Sequence, residues 1–148
     1  MTAAAFAAGT FLTQADWVKF SDDASKIMVN AEGVNTLESV SSVAFKIDGK
    51  WQRMGQKGWS VSQPVQVTTG TTPFGNAEIS KVSYSRDNFP YEYTLTLKRL
   101  KNIKAFTLQG VLHNKSDAGI TVHSFDLFDT QKGVGGTLSV ANPQDWLI

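Results

Sequence analysis

The chain contains no cysteine. Disulfide staples and thiolate chemistry are therefore excluded, and the redox compartment stays undetermined. Charge is scarce: Asp, Glu, Lys and Arg make up 18% of the 148 residues, where about a quarter is usual. It is also balanced, with 14 basic against 13 acidic residues and a formal net charge of +1. Such a balance gives no reason to expect nucleic acid or an anionic membrane as a partner. No apolar run approaches the roughly eighteen residues of a helical membrane span. Residues 1–9 lack the basic n-region of a signal peptide and are short for its apolar core. They read as an appended start, a signal remnant or a disordered end. There are two histidines, and no GxSxG, HExxH, P-loop or GxGxxG pattern occurs. No catalytic residue, metal ligand or cofactor motif is assigned.

Apolar and aromatic side chains are plentiful. Hydrophobic residues make up 41% and aromatics 11%, including four tryptophans and three tyrosines. A chain this long suits one domain over residues 1–148 and can bury about two-thirds of its unfolded surface. Its patterning is that of strands. Tyr91, Tyr93, Leu95 and Leu97 alternate with Glu92, Thr94, Thr96 and Lys98, and Phe106, Leu108, Gly110 and Leu112 alternate with polar partners. Val43, Phe45 and Ile47 run into Asp48-Gly49, and Trp51 and Arg53 follow. Asp-Gly between alternating runs predicts a hairpin over 42–54, because a type I′ turn needs positive φ at both corners.

Ile120 and Val122 share one phase, while Phe125 and Leu127 take the other. That slip predicts a bulge near His123-Ser124. The change of phase between Ile79 and Val82 predicts a bulge or a strand covered on both faces. Residues 59–61 and 65–68 read as strand pieces around Pro64, placed at an edge or a strand start. Residues 70–75 read as a loop. Residues 11–20 give a first strand, with a short helix from Gln14 as the alternative, and 137–140 give a last one. The expectation is an all-β antiparallel β-sandwich of about nine or ten short strands.

Few side chains suggest chemistry. His113 and His123 fall on neighbouring predicted strands near Asp126 and Asp129. The spacing is not that of a zinc site, and hydrogen-bonded histidines are the plainer expectation. Asp22-Asp23 and the Asp126/Asp129 pair suit turn capping better than acid–base work on a glycosidic bond. The tryptophans say more. Trp51, just past a hairpin turn, and Trp59, in a glycine-flanked loop, are expected to be the most exposed. Core packing, a domain or subunit contact, and stacking on a ligand are all roles such rings fill.

His113-Asn114-Lys115-Ser116-Asp117 ends a strand in an Asn-x-Ser-Asp turn. Gly-Ile-Thr-Val-His-Ser-Phe-Asp-Leu-Phe-Asp follows at 119–129, and Asn-Pro-Gln-Asp-Trp-Leu-Ile closes the chain. These stretches resemble the N-terminal β-sandwich (supersandwich) domain of α-galactosidase and raffinose-synthase type glycoside hydrolases. The resemblance covers roughly residues 74–148, and other sugar-active sandwich domains share its turn. It implies a non-catalytic accessory domain whose partners are an adjoining (β/α)₈ barrel, carbohydrate, or further copies of itself. That family's catalytic aspartates sit on the barrel, so none carries over here. The apolar end at Trp146-Leu147-Ile148 is then expected of a piece of a longer chain. Two other readings stand beside this one: a stand-alone carbohydrate-binding module stacking sugars on Trp51 and Trp59, and a structural or assembly protein of a surface or virion.

Overall fold

A computed structural model describes residues 17–30 and 37–130. Nine strands run through them: β1 (Val18–Phe20), β2 (Ile27–Val29), β3 (Leu37–Ile47), β4 (Lys50–Gly55), β5 (Ser60–Thr72), β6 (Gly75–Ser85), β7 (Tyr91–Leu100), β8 (Phe106–Asn114) and β9 (Thr121–Asp129). All pairings are antiparallel. One sheet has the order β1-β2-β3-β4, with β9 also paired to β3; the other has the order β5-β6-β7-β8. The two pack face to face as a sandwich, as the alternation requires. The predicted strand over 137–140 and the Gln14 helix lie outside the described residues. The first strand begins at Val18.

The core follows from period two. Val43 and Phe45 of β3, Met54 of β4, Val82 and Tyr84 of β6, and Tyr91, Tyr93, Leu95 and Leu97 of β7 are all buried in one cluster. Each such side chain contributes roughly 1.5–3 kcal/mol by leaving water. Phe45, Tyr91 and Phe89 meet tilted or edge-on at one end, with centroids 5.0–5.2 Å apart along the chain of contacts. The hairpin over 42–54 forms where the sequence places it. Asp48 and Gly49 have φ of +46° and +77°, the left-handed corners of a type I′ turn.

Two tyrosine hydroxyls join the sheets through the core. Tyr93 Oη lies 2.7 Å from Ser41 Oγ of β3, and Tyr84 Oη donates to the Ala24 carbonyl at 2.8 Å. Gln56 completes the network. Its Oε1 accepts the Ser41 N–H at 2.7 Å, and its Nε2 donates to Ala24 at 3.3 Å. Gln56 lies just past β4, outside any strand, yet it is buried. It can enter because Gly55 has no Cβ: one built there would stand 2.1 Å from the Ser41 carbonyl oxygen.

Two sequence expectations need revising, the loop at 70–75 and the break at Pro64, and a third, in β6, resolves between its two alternatives. The loop at 70–75 is a tight hairpin turn. β5 continues to Thr72, and Thr71 and Thr72 pair with Asn76 and Gly75. The Thr72 hydroxyl accepts the Phe74 N–H and donates to the Gly75 carbonyl, so Pro73-Phe74 turns in two residues. The two pieces around Pro64 are one strand on the sheet edge, as its missing N–H allows. Register shifts on either side of Gln63 absorb the irregularity. In β6 the change of phase reflects two covered faces. β6 pairs with β7 without a shift from Ala77 to Tyr84. Val82 and Tyr84 enter the core, while Ala77 and Ile79 are covered on the other face beside Leu100 and Gly70.

Candidate functional site

The outer face of the first sheet gathers three of the residues that the sequence reading singled out, Trp51, His123 and Asp126. Along β3, Val43 and Phe45 point inward, so Ser42, Ala44 and Lys46 point outward. Lys46 pairs with Trp51 of β4 and Thr121 of β9; Ala44 pairs with Arg53 and Ser124; Ser42 pairs with Asp126. Trp51 is 57% exposed. Its ring meets the His123 ring edge-on at a centroid distance of 5.1 Å, and Lys46 Nζ stands 5.6 Å from its centroid.

The predicted bulge builds this contact. Between Ala44 and Phe45, one step on β3 corresponds to two on β9, from Ser124 to Val122, and His123 is the extra residue. In a regular strand His123 would point away from the side taken by Ser124. The bulge brings it to the outer face beside Ser124. β4 and β9 flank β3, so their backbones are about 10 Å apart, and the indole crosses β3 to reach the imidazole. A second register shift, between Val40 and Ser42, spans Asp126 to Asp129; nothing in the alternation pointed to it.

One row along, Arg53 Nη1 donates to Asp126 Oδ2 at 2.7 Å and to Ser42 Oγ at 2.8 Å. The face therefore carries an exposed indole, an imidazole, an ammonium group and a fixed guanidinium–carboxylate pair. Flat apolar surface bordered by donors and acceptors is what a sugar ring, with its C–H face and hydroxyl rim, can meet.

Trp59 is placed differently. It is half-buried against the core cluster, with its ring 5.1 Å from Phe89. The Arg86 guanidinium lies 4.4 Å over its ring, and its Nε1 donates to the Arg53 carbonyl at 3.3 Å. The expectation of exposure holds for Trp51 and not for Trp59, because Arg86, just past the end of β6, and Phe89, before β7, close over the Trp59 indole. The two rings form no common platform.

The histidine pair is also separated. β8 and β9 belong to different sheets, so His113, opposite Glu92 on β7, does not pair with His123. Among the described residues no three His, Asp or Glu side chains gather as metal ligands would. Asp23 caps its turn. The Ser21 hydroxyl and the Ser25 N–H donate to its Oδ1 and hold the carboxyl down to about 2. In the Asn-x-Ser-Asp turn, Asn114 Oδ1 accepts from the Ser116 N–H and hydroxyl, and Asn114 Nδ2 donates to the Ala118 carbonyl.

Fold and face together define a class: an antiparallel β-sandwich with one exposed aromatic–polar patch on a sheet's outer surface. No protein-family model, curated protein or solved structure matches this chain.

Proposed function

We propose that this chain is a non-catalytic β-sandwich module of a carbohydrate-active glycoside hydrolase, and that the Trp51 face is its sugar-contacting surface. The resemblance of residues 74–148 to such accessory domains supports the first half. The observation that carries the second is Trp51, more than half exposed yet fixed by His123 and Lys46 on a face rimmed by Arg53 and Asp126. A fixed exposed ring loses little entropy when it stacks, which favours recognition over accident. Titration of the ¹⁵N-labelled protein with soluble galactomannan, xylan and β-glucan fragments tests this. At least one should shift the Trp51 indole N–H and the amides of His123 and Lys46, and Trp51→Ala should lose the binding. Shifts that survive Trp51→Ala, or no shifts across the panel, overturn the reading.

An assembly role is the second reading, and one observation favours it. Val61 and Val67 are exposed on β5, the edge strand of the second sheet. Concentration-dependent light scattering without sugar binding is the result that would prefer it.

A further inference from the structure

The far end of the sandwich holds a second site of different chemistry. A cavity of about 280 Å³ opens there, and Trp17, Glu78, Arg99, Lys101, Ile103 and Lys104 are among the residues that line it. The strands explain its charge. Arg99 shares the inward phase of Leu95 and Leu97, and it stands opposite Glu78 on β6 and Phe106 on β8. It is thus a cation at the rim of the inter-sheet space, with its side chain only 11% exposed. Arg99 Nη2 donates to Glu78 Oε1 at 2.6 Å, and Nη1 donates to the Val18 carbonyl at 3.3 Å. Those two bonds fix the guanidinium and engage the one carboxylate of the lining. They use two of its five N–H donors.

The turn between β7 and β8 then adds Lys101 and Lys104. The lining carries three cations against one anion, a formal +2 on a chain whose total is +1. One wall is apolar. Trp17 packs edge-on against Phe106 at 5.7 Å, and Ile103 is 56% exposed at the opening. An isoleucine exposed beside two lysines on a short turn contributes nothing to the core. It gives the mouth of the cavity an apolar lip.

We propose that this cavity binds a small organic oxyanion, a carboxylate on a compact body of about monosaccharide size. The carboxylate lies toward Lys101 and the Arg99 N–H groups that bond neither Glu78 nor Val18, with Lys104 adding its charge, and the body rests on Trp17 and Ile103. A cation held in place by its own partners costs little reorganisation when an anion arrives. The cavity is small against the several hundred Å³ of a drug-sized pocket, which limits the ligand to a single ring. This site is independent of the Trp51 face. Trp17 precedes the strand paired to the start of the β1-β2-β3 ladder, whereas Trp51 is opposite the end of β3, so roughly 30 Å of strand separates them.

Glucuronate, glucose and inorganic phosphate are the probes, read by amide and indole shifts of the ¹⁵N-labelled chain, with the Trp17 indole assigned through Trp17→Phe. Glucuronate should shift the Trp17 indole and the amides of 99–104, with at least ten-fold weaker binding in the exposed-residue double variant Lys101→Ala/Lys104→Ala. Glucose, which has the ring without the charge, should leave those signals in place. The proposal is overturned if glucuronate shifts nothing there, if the double variant binds it equally well, or if glucose binds as tightly. It is overturned as well if phosphate binds as tightly as glucuronate, since the apolar wall would then select nothing. Failure at Trp51 leaves these signals untouched, and the reverse holds too.

Discussion

At the scale of the residue, the buried polar atoms matter more than the exposed ones. Among the described residues every buried side-chain nitrogen and oxygen has a partner. Ser41 Oγ and Tyr93 Oη are each other's. Removing one strands the other in a core where both residues are fully buried, at a cost of about 1–3 kcal/mol. Ser41→Ala and Tyr93→Phe should therefore each lower stability by that much in urea unfolding. The double variant should lose about 1 kcal/mol less than the two single losses together, because it strands neither atom. Strict additivity would mean that the two hydroxyls do not interact in solution.

At the scale of the element, the sequence reached what local alternation and turn chemistry decide. The Asp48-Gly49 hairpin, the inward row Tyr91 to Leu97 and the bulge at His123 were all legible, since each rests on period two or on a φ that only certain residues tolerate. Burial of Gln56 was not, because it depends on three strands meeting at Ser41. The cover over Trp59 was not, because Arg86 and Phe89 come from a hairpin some 27 residues further along the chain. Nor was the cavity at Arg99 legible: an arginine in an apolar phase marks a rim only once the opposing sheet is in place. The Trp51 site was half legible, since the bulge could be read from the sequence but not its neighbour across β3. β5 shows the same division. Its edge position follows from Pro64, which guards the first half together with the register shifts. Residues 67–72, Val-Thr-Thr-Gly-Thr-Thr, have no charge and no proline, and Val67 is 59% exposed. Such a stretch invites edge-to-edge pairing. Val67→Lys should change unfolding free energy by less than about 0.5 kcal/mol while slowing the growth of scattering on storage at high concentration. Equal growth in both proteins would place the association elsewhere.

For the whole molecule, the tyrosine hydroxyls add hydrogen bonds between the sheets to the apolar packing, and they make the sandwich sensitive to alkali. Burial pushes the Tyr84 phenol well above its usual range and the Tyr93 phenol upward as well. A phenol in the unfolded chain titrates near pH 10. Between that value and the raised folded one, the unfolded state has lost a proton that the native state keeps. The stabilisation from each phenol is therefore complete below about pH 10 and is lost as pH rises toward the folded value, by up to about 1.4 kcal/mol per pH unit. Tyr84→Phe separates this from the titration of lysines, which both proteins share. At pH 8 the unsubstituted chain should be the more stable by about 1 kcal/mol, the net worth of the bond to the Ala24 carbonyl. By pH 11 that advantage should shrink or reverse, because only the unsubstituted chain must keep the Tyr84 phenol neutral, while the Tyr93 phenol is common to both. Urea midpoints at the two pH values decide it, and an unchanged difference would mean that Tyr84 is not held protonated between the sheets.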